Sequence, residues 1–372
     1  MRLIIERSAL LKGLNHVTSV VERRNTIPIL SNVLLEVDSG ELKLTATDLE
    51  REVVESIASR GLAPGAITVS AHMLHDIVRK LPDGAEIEIE SGVEDGRMTL
   101  SSGQSRFSLQ ALPASDFPKL DAGDLEHRFQ IPAKDLRRLI EKTRFAISTE
   151  ETRYYLNGIY LHEAASDVGQ TLRAVATDGH RLAQVEFPRP EGVEGMPGVI
   201  VPRKTVVELH RLVEESENSV DIGLSQAKIR FETGSIVLTS KLIDGTFPDY
   251  GRVIPQGNDK VMSFANAEFA SAVDRVSTLS HDKGRAVKLN IESGQLTLSV
   301  HNPDSGSAME DIKVEYDSEP LEIGFNAKYL LDISALLEGE KAYFRLADAG
   351  SPTMVKEVGD ETALYVLMPM RV

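Results

Sequence analysis

The sequence repeats itself three times, and no other feature limits its possible folds so strongly. The segments ELKLTATD at 41–48, TLRAVATD at 171–178 and QLTLSVHN at 295–302 recur at spacings of 130 and 124 residues. Each alternates apolar and polar residues, so each is expected to be a half-buried strand. Phe117-Pro118 and Phe247-Pro248 are also 130 residues apart, each near the end of its unit, and the third copy lacks this pair. Two helices recur as well. Leu10, Leu14 and Val17 match Leu136, Ile140 and Thr143, then Phe269, Val273 and Val276, with Thr143 the one poor match. Leu74, Ile77 and Leu81 match Val206, Leu209 and Val213, then Leu330, Ile333 and Leu337. Both spacings put three side chains on one helical face. Pro132, Pro202, Asn266 and Asn326 stand where these helices should begin, as helix N-termini prefer. The chain is therefore expected to be α+β, with domains at 1–125, 126–255 and 256–372 and linkers near Asp121–His127 and Pro255–Lys260. Each domain should pack two helices on antiparallel sheet. A length of 372 residues suits two or three cores.

Composition narrows the function. The absence of cysteine removes disulfides, thiolate metal sites and cysteine nucleophiles, and fits a reducing compartment. The N-terminal MRLIIE has no long apolar run, and no stretch approaches the roughly 20 apolar residues of a membrane span. A cytoplasmic location is expected. The net charge of −16 argues against nucleic acid until its distribution is considered. Windows 8–24, 71–81, 133–144, 203–215, 266–285 and 326–338, which bracket the repeated helices, hold 17 Lys and Arg against 12 Asp and Glu. The rest of the chain holds 24 against 45. That contrast predicts one basic surface built from helices and a separate acidic one, which would attract phosphate on one face and repel it elsewhere.

Two such chains would supply twelve helices. Axes packed about 9 Å apart around a circle give a diameter of about 34 Å, and subtracting one helix thickness leaves roughly 23 Å clear. A duplex is roughly 20 Å across, given grooves about 8 Å deep on either side. Head-to-tail repeats close into rings when the rotation permits.

Catalysis has little support. Asp178 and His180 could serve acid–base chemistry, but the matching positions are Asp48 and Glu50 in the first unit and Asn302 and Asp304 in the third, so no catalytic set recurs. There is no P-loop, no Gly-rich dinucleotide turn, no HExxH and no GxSxG. No cofactor or metal is expected.

The chain resembles the bacterial DNA polymerase III beta subunit family, the beta sliding clamps, along its whole length. The resemblance rests on TIPILSN at 26–32, RYYLNG at 153–158, ATDGHRLA at 176–183, FPDY at 247–250 and MPMRV at 368–372. It implies three clamp domains per chain and a head-to-tail homodimeric ring with helices lining the pore. It implies a processivity factor that encircles duplex DNA and tethers polymerase, clamp loader and repair proteins through short linear motifs. A peptide-binding scaffold that never encircles DNA is the alternative. The implied peptide site is Arg153, Leu156, Thr177, Gly179, His180, Arg181, Leu182, Pro248, Arg252, Val253, Val366, Leu367, Met368, Pro369, Met370 and Arg371. The apolar members would form a cleft, while Arg153, Arg181 and Arg252 would rim it and orient the peptide. One of Val366 and Leu367, on an alternating terminal strand, could equally be core. Gly251 departs from the family, whose members often carry a basic residue there. Arg24, Tyr154 and Tyr155 are implied as DNA contacts, and the helix cations Lys12, Arg79, Lys80, Arg137, Arg138, Lys142, Arg203 and Lys204 are added from the charge pattern. Phe107 and Leu109 would face Thr278 and Leu279 of a second copy.

Overall fold

The computed structural model describes residues 1–91, 96–121, 123–166, 169–214, 216–280 and 286–371. Val372 of the terminal motif, and the parts of two cationic windows at 215 and 281–285, lie outside the described residues.

The three repeats use the same elements in the same order. The first runs β1 (Arg2–Glu6), α1 (Arg7–Thr18), β2 (Asn32–Asp38), β3 (Glu41–Thr47), β4 (Arg51–Ala58), β5 (Arg60–Ala63), β6 (Gly65–Ser70), α2 (Ala71–Lys80), β7 (Glu86–Ser91), β8 (Arg97–Ser102) and β9 (Ser105–Leu112). The second runs β10 (His127–Pro132), α3 (Ala133–Arg144), β11 (Gly158–Ser166), β12 (Gly169–Thr177), β13 (Arg181–Pro188), β14 (Val199–Pro202), α4 (Arg203–Glu214), β15 (Ser219–Leu224), β16 (Lys228–Thr233) and β17 (Ile236–Lys241). The third runs β18 (Lys260–Ala265), α5 (Asn266–Ser277), β19 (Ala286–Glu292), β20 (Gln295–Asn302), β21 (Gly306–Lys313), β22 (Leu321–Asn326), α6 (Ala327–Ser334), β23 (Lys341–Leu346), β24 (Thr353–Glu357) and β25 (Ala363–Leu367). Apart from β5, each repeat is two helices and two antiparallel four-stranded arrays. The three sequence-matched segments are β3, β12 and β20, as expected.

The strands also join across repeats. β17 pairs with β4, with Leu238 opposite Val53 and Ser240 opposite Arg51. β25 pairs with β13, with Val366 opposite Leu182 and Leu367 opposite Arg181. The last strand of one repeat thus extends the sheet of the repeat before it. The chain divides into two compact units that share the middle repeat: residues 1–137, 190–194 and 204–242 in one, and 138–189, 195–203 and 243–372 in the other. The first holds a 13-stranded sheet and the second holds sheets of eight and four strands.

The helix faces follow the expected spacing. Leu10, Leu14, Val17, Leu136, Ile140, Phe269, Val273 and Val276 are all buried. Thr143 is buried too, because its hydroxyl donates to the Leu139 carbonyl at 2.6 Å and so brings no unpaired polar atom into the core. Ile77 is only half-buried, and Val78 takes its place beside Leu74. Asn326 caps α6 by accepting from the Lys328 amide at 2.9 Å. Asn266 is instead the first residue inside α5, and its amide donates to the carbonyls of Ser334 and Leu337 at 2.9 and 3.3 Å, tying α5 to the end of α6. Among the described residues, no helix is long and apolar enough to cross a membrane.

Candidate functional site

The second compact unit brings most of the expected peptide-site residues together. Its centre is the turn from Thr177 to Arg181 between β12 and β13. The Thr177 hydroxyl donates to the Arg181 carbonyl at 2.7 Å and accepts from the Gly179 amide at 3.1 Å. One oxygen of Asp178 accepts from the amides of His180 and Arg181 at 2.9 and 3.0 Å, and the other takes the Arg181 Nε at 3.0 Å. Gly179 sits at φ +87°, a region costly for residues with a Cβ. The turn presents the His180 carbonyl outward, where it accepts from the Met368 amide at 2.9 Å. Met370 donates to the Gly324 carbonyl at 2.8 Å, so the tail is fixed at two points.

Beside this turn lies an apolar cluster of Leu156, Val175, Leu182, Ile200, Phe247, Tyr250 and Val366, with Tyr155, Tyr160 and Ile254 packed against it. Pro248 and Val253 are exposed, while Met368, Pro369 and Met370 are half-buried. Val366 and Leu367 are both core residues, 2% and 1% exposed, so only the tail after them is open to a ligand. Val175, Ile200, Phe247 and Tyr250 were not among the expected site residues. The FPDY motif pointed at two of them, but nothing in an alternating strand marks which inward residue lies under a cleft.

The three expected rim arginines have different roles. Arg252 pairs with Asp249 at 2.8 Å with its side chain 85% exposed. Arg153 pairs with Glu150 at 2.5 Å and is partly exposed. Arg181 is not a rim residue, and this corrects the sequence expectation. It is buried, its Nη1 reaches Asp332 at 2.6 Å and its Nη2 the Phe145 carbonyl at 2.6 Å, and it lies over the rings of Phe145 and Tyr329. A guanidinium with every face occupied supports the turn rather than meeting a peptide.

Tyr250 anchors the cluster from below. Its hydroxyl accepts from Arg173 Nη1 at 2.9 Å and lies 2.9 Å from His162 Nε2. His162 Nδ1 lies 2.7 Å from the Glu163 carbonyl, so Nδ1 carries the proton and Nε2 accepts from Tyr250. Burial, and then the Arg173 charge, hold His162 below its ordinary pKa against the opposing pull of the Glu163 carbonyl. The folded protein therefore binds this proton less readily than the unfolded chain does. The stabilisation is complete above about pH 6.5 and falls as pH drops through the lower folded value. Urea midpoints should decline as pH falls below about 6.5, and His162→Gln should flatten that decline. An unchanged slope in the variant would remove His162 from this role.

The first repeat carries the same turn without the cleft. Thr47, Asp48 and Arg51 reproduce the hydrogen bonds of Thr177, Asp178 and Arg181, with Leu49 at φ +73° in the place of Gly179. The positions of Val175, Leu182, Ile200 and Val366 are occupied by Thr45, Glu52, Thr68 and Thr239, all buried. Glu52 accepts from the Leu120 amide at 2.9 Å, and burial raises its pKa. A carboxylate and three threonines leave no apolar floor for a ligand.

The expected DNA contacts also separate. Arg24, Lys12, Lys80 and Arg203 are exposed, and so is Tyr154 at 53%. Arg79 and Lys204 are exposed but paired with Asp76 and Glu22, and Arg137 is half-buried. Lys142 is 4% exposed and donates to the Leu336 carbonyl beside Glu338, so it is unavailable to phosphate. Arg138 is held by Asp360 and Thr362 at 2.6 and 2.8 Å. Tyr155 packs on the apolar cluster and belongs to the cleft. These three placements correct the sequence expectation. Long aliphatic stems let cations reach internal carbonyls, which a count of charges cannot register.

The DNA polymerase III beta subunit N-terminal domain family matches residues 1–121, its central domain family residues 130–249, and its C-terminal domain family residues 251–371. The chain belongs to the DNA polymerase III beta subunit family. Among curated relatives, a beta sliding clamp of Caulobacter vibrioides is 54% identical and one of Escherichia coli K12 is 41% identical, each over the full length of both chains. Among solved structures, a sliding clamp from Bartonella birtlesii bound to griselimycin is 55% identical with a TM-score of 0.97, covering all of both chains. A Caulobacter crescentus beta sliding clamp is 54% identical with a TM-score of 0.98, covering all of this chain and 99% of that one. The family carries no catalytic role, in agreement with the absence of a recurring acid–base set.

Proposed function

We propose that two copies of this chain close head to tail into a ring around duplex DNA, and that this ring is how the chain serves as a DNA sliding clamp. The observation that carries the reading is a pair of strand edges. β17 closes on β4 and β25 closes on β13, each a last strand joining the preceding repeat. The equivalent last strand of the first repeat is β9, and β6 reaches only its end, at Ala111 and Leu112. The equivalent receiving strand of the third repeat is β21, which stands at the edge of its sheet with Met309 73% exposed. Unpaired edges with an exposed apolar side chain invite another strand. Carrying over the register of the two internal joins sets Gln110 opposite Ser305 and Phe107 opposite Ala308 of a partner copy. Phe107 and Leu109 then meet the end of α5 at Thr278 and Leu279.

In that ring Arg24, Lys12, Arg79, Lys80, Arg137, Arg203, Lys204 and Tyr154 are the candidates for weak contacts with the sugar–phosphate backbone. Such contacts read no sequence and so permit sliding. The cleft around Leu156, Leu182, Pro248, Val253, Met368 and Met370 takes short peptide segments of polymerase, clamp loader and repair proteins. Two methionines suit varied ligands. Arg153, Arg252 and Arg371 flank it.

Phe107→Asp tests the assembly. Each ring buries Phe107 twice, at about 2 kcal/mol each, so the dimer dissociation constant should rise about a thousandfold. Sedimentation should show a folded monomer. A variant dimer as tight as the parent would place the interface elsewhere.

A further inference from the structure

We infer that the peptide cleft continues into a polar chamber that takes a lysine or arginine side chain from the segment flanking a partner's apolar motif; this rests on the reading of the cleft above. A cavity of about 520 Å³ opens on the eight-stranded sheet of the second compact unit, and Arg173, Gln184, Glu186, Lys356, Glu361 and Leu364 line it. It lies on the cleft's own face of that sheet. Leu182, Gln184 and Glu186 alternate along β13 and so share one side. Gln184 stands opposite Val175 in β12 and Leu364 in β25. Val175 is part of the apolar cluster and Leu364 packs against it. Gln184 and Glu186 are two and four residues beyond Leu182, about 7 and 13 Å along the strand. Arg173 joins the two regions, since it bonds both Tyr250 of the cluster and Glu186 of the chamber.

The chamber is short of hydrogen-bond donors. Gln184 is 6% exposed, and its Oε1 is buried without a partner. Its Nε2 donates to Glu186 Oε1 at 3.3 Å, which fixes the amide orientation, because the flipped form would set two oxygens against each other. Arg173 Nε donates to the same Oε1 at 2.8 Å, so Glu186 Oε2 is left with no partner among the described residues. The Lys356 ammonium is held by Glu361 Oε2 at 2.6 Å. Both cations of the chamber thus already bond an acid, while the Gln184 carbonyl and one oxygen each of Glu186 and Glu361 still lack a donor. A buried carbonyl left unmet is costly, and native structures rarely keep one. An ammonium brings three donors and a guanidinium five, together with the positive charge that two half-used carboxylates favour. An acidic or purely apolar side chain would leave the carbonyl orphaned.

The test moves one cation along a peptide. Synthetic peptides copied from the clamp-binding segment of a replicative polymerase carry a single lysine, or norleucine in its place, at successive positions outside the apolar motif on either side. Titration calorimetry with the full-length protein should show about tenfold tighter binding for lysine than for norleucine at a position roughly two to four residues out, on one side only. Gln184→Leu should abolish that preference and leave the affinity of the unextended peptide unchanged within about twofold. If Gln184→Leu does not fold, Glu361→Gln, at a side chain 74% exposed, should cut the preference about threefold. Equal affinity for the lysine and norleucine peptides at every position, or a preference untouched by these variants, overturns the inference. Failure of the unextended peptide to bind would instead defeat the cleft reading, and the inference with it.

Discussion

Deleting Met368–Val372 is expected to weaken peptide binding at least about a hundredfold while leaving the dimer intact. The Met368 amide donates to the His180 carbonyl, in the turn that leads into Leu182 of the apolar cluster, and the Met370 amide to the Gly324 carbonyl, which fixes the tail with both side chains half-buried. Covering one such side chain with a ligand contributes about 1.5–3 kcal/mol, and losing two exceeds the roughly 2.7 kcal/mol that a hundredfold requires. The fold should survive, because Val366 and Leu367 remain in β25 against β13. The dimer should survive because β9 and β21 are untouched. Titration calorimetry with a clamp-binding peptide, beside sedimentation of the same sample, reads both. Loss of the dimer with binding retained would move the tail to the subunit interface.

The second large effect is on stability. Arg181→Met keeps most of the aliphatic stem but strips Asp178 and Asp332 of their shared partner, at side-chain exposures of only 17% and 26%. Breaking a buried pair on one side costs about 3–5 kcal/mol. The lower end applies here, because Lys328 still holds Asp332 at 2.6 Å. Urea unfolding should show a loss of about 3 kcal/mol, and peptide affinity should fall with it as the His180 turn loosens. Arg252→Ala is the contrast. Its pair with Asp249 is largely exposed, so stability should change by less than about 0.5 kcal/mol. An Arg181 variant as stable as the parent, with only peptide binding lost, would return Arg181 to the rim.

What could be read in the sequence was whatever has a period. The three strands and both helix families follow from alternation and from i, i+4, i+7 and i, i+3, i+7 spacing, because burial selects side chains by face, while the cleft turn was implied only by the family resemblance of ATDGHRLA. Thr143 was legible as a mismatch but not as a harmless one, since its partner is a carbonyl one helical turn away. Charge was the least legible. Lys142, Arg138 and Arg181 count as surface cations in any window, yet each bonds an atom distant in sequence. The same limit hid why the first repeat has a turn but no cleft, because Glu52 matters only once it is known to face Leu120. The open edge of β21, and the length of β9 that β6 leaves unpaired, were invisible as well, since an edge is defined by what fails to pair with it.

Encirclement of DNA is a topological property, and retention on a closed circle reads it directly. Protein loaded by a clamp loader onto nicked circular duplex is separated from free protein by gel filtration, before and after a restriction enzyme linearises the circle. The ring account predicts that the protein stays with the circle and leaves within minutes of the cut, because weak backbone contacts alone cannot retain it on a free end. Equal retention on circular and linear DNA, or no retention on either after loading, would contradict it.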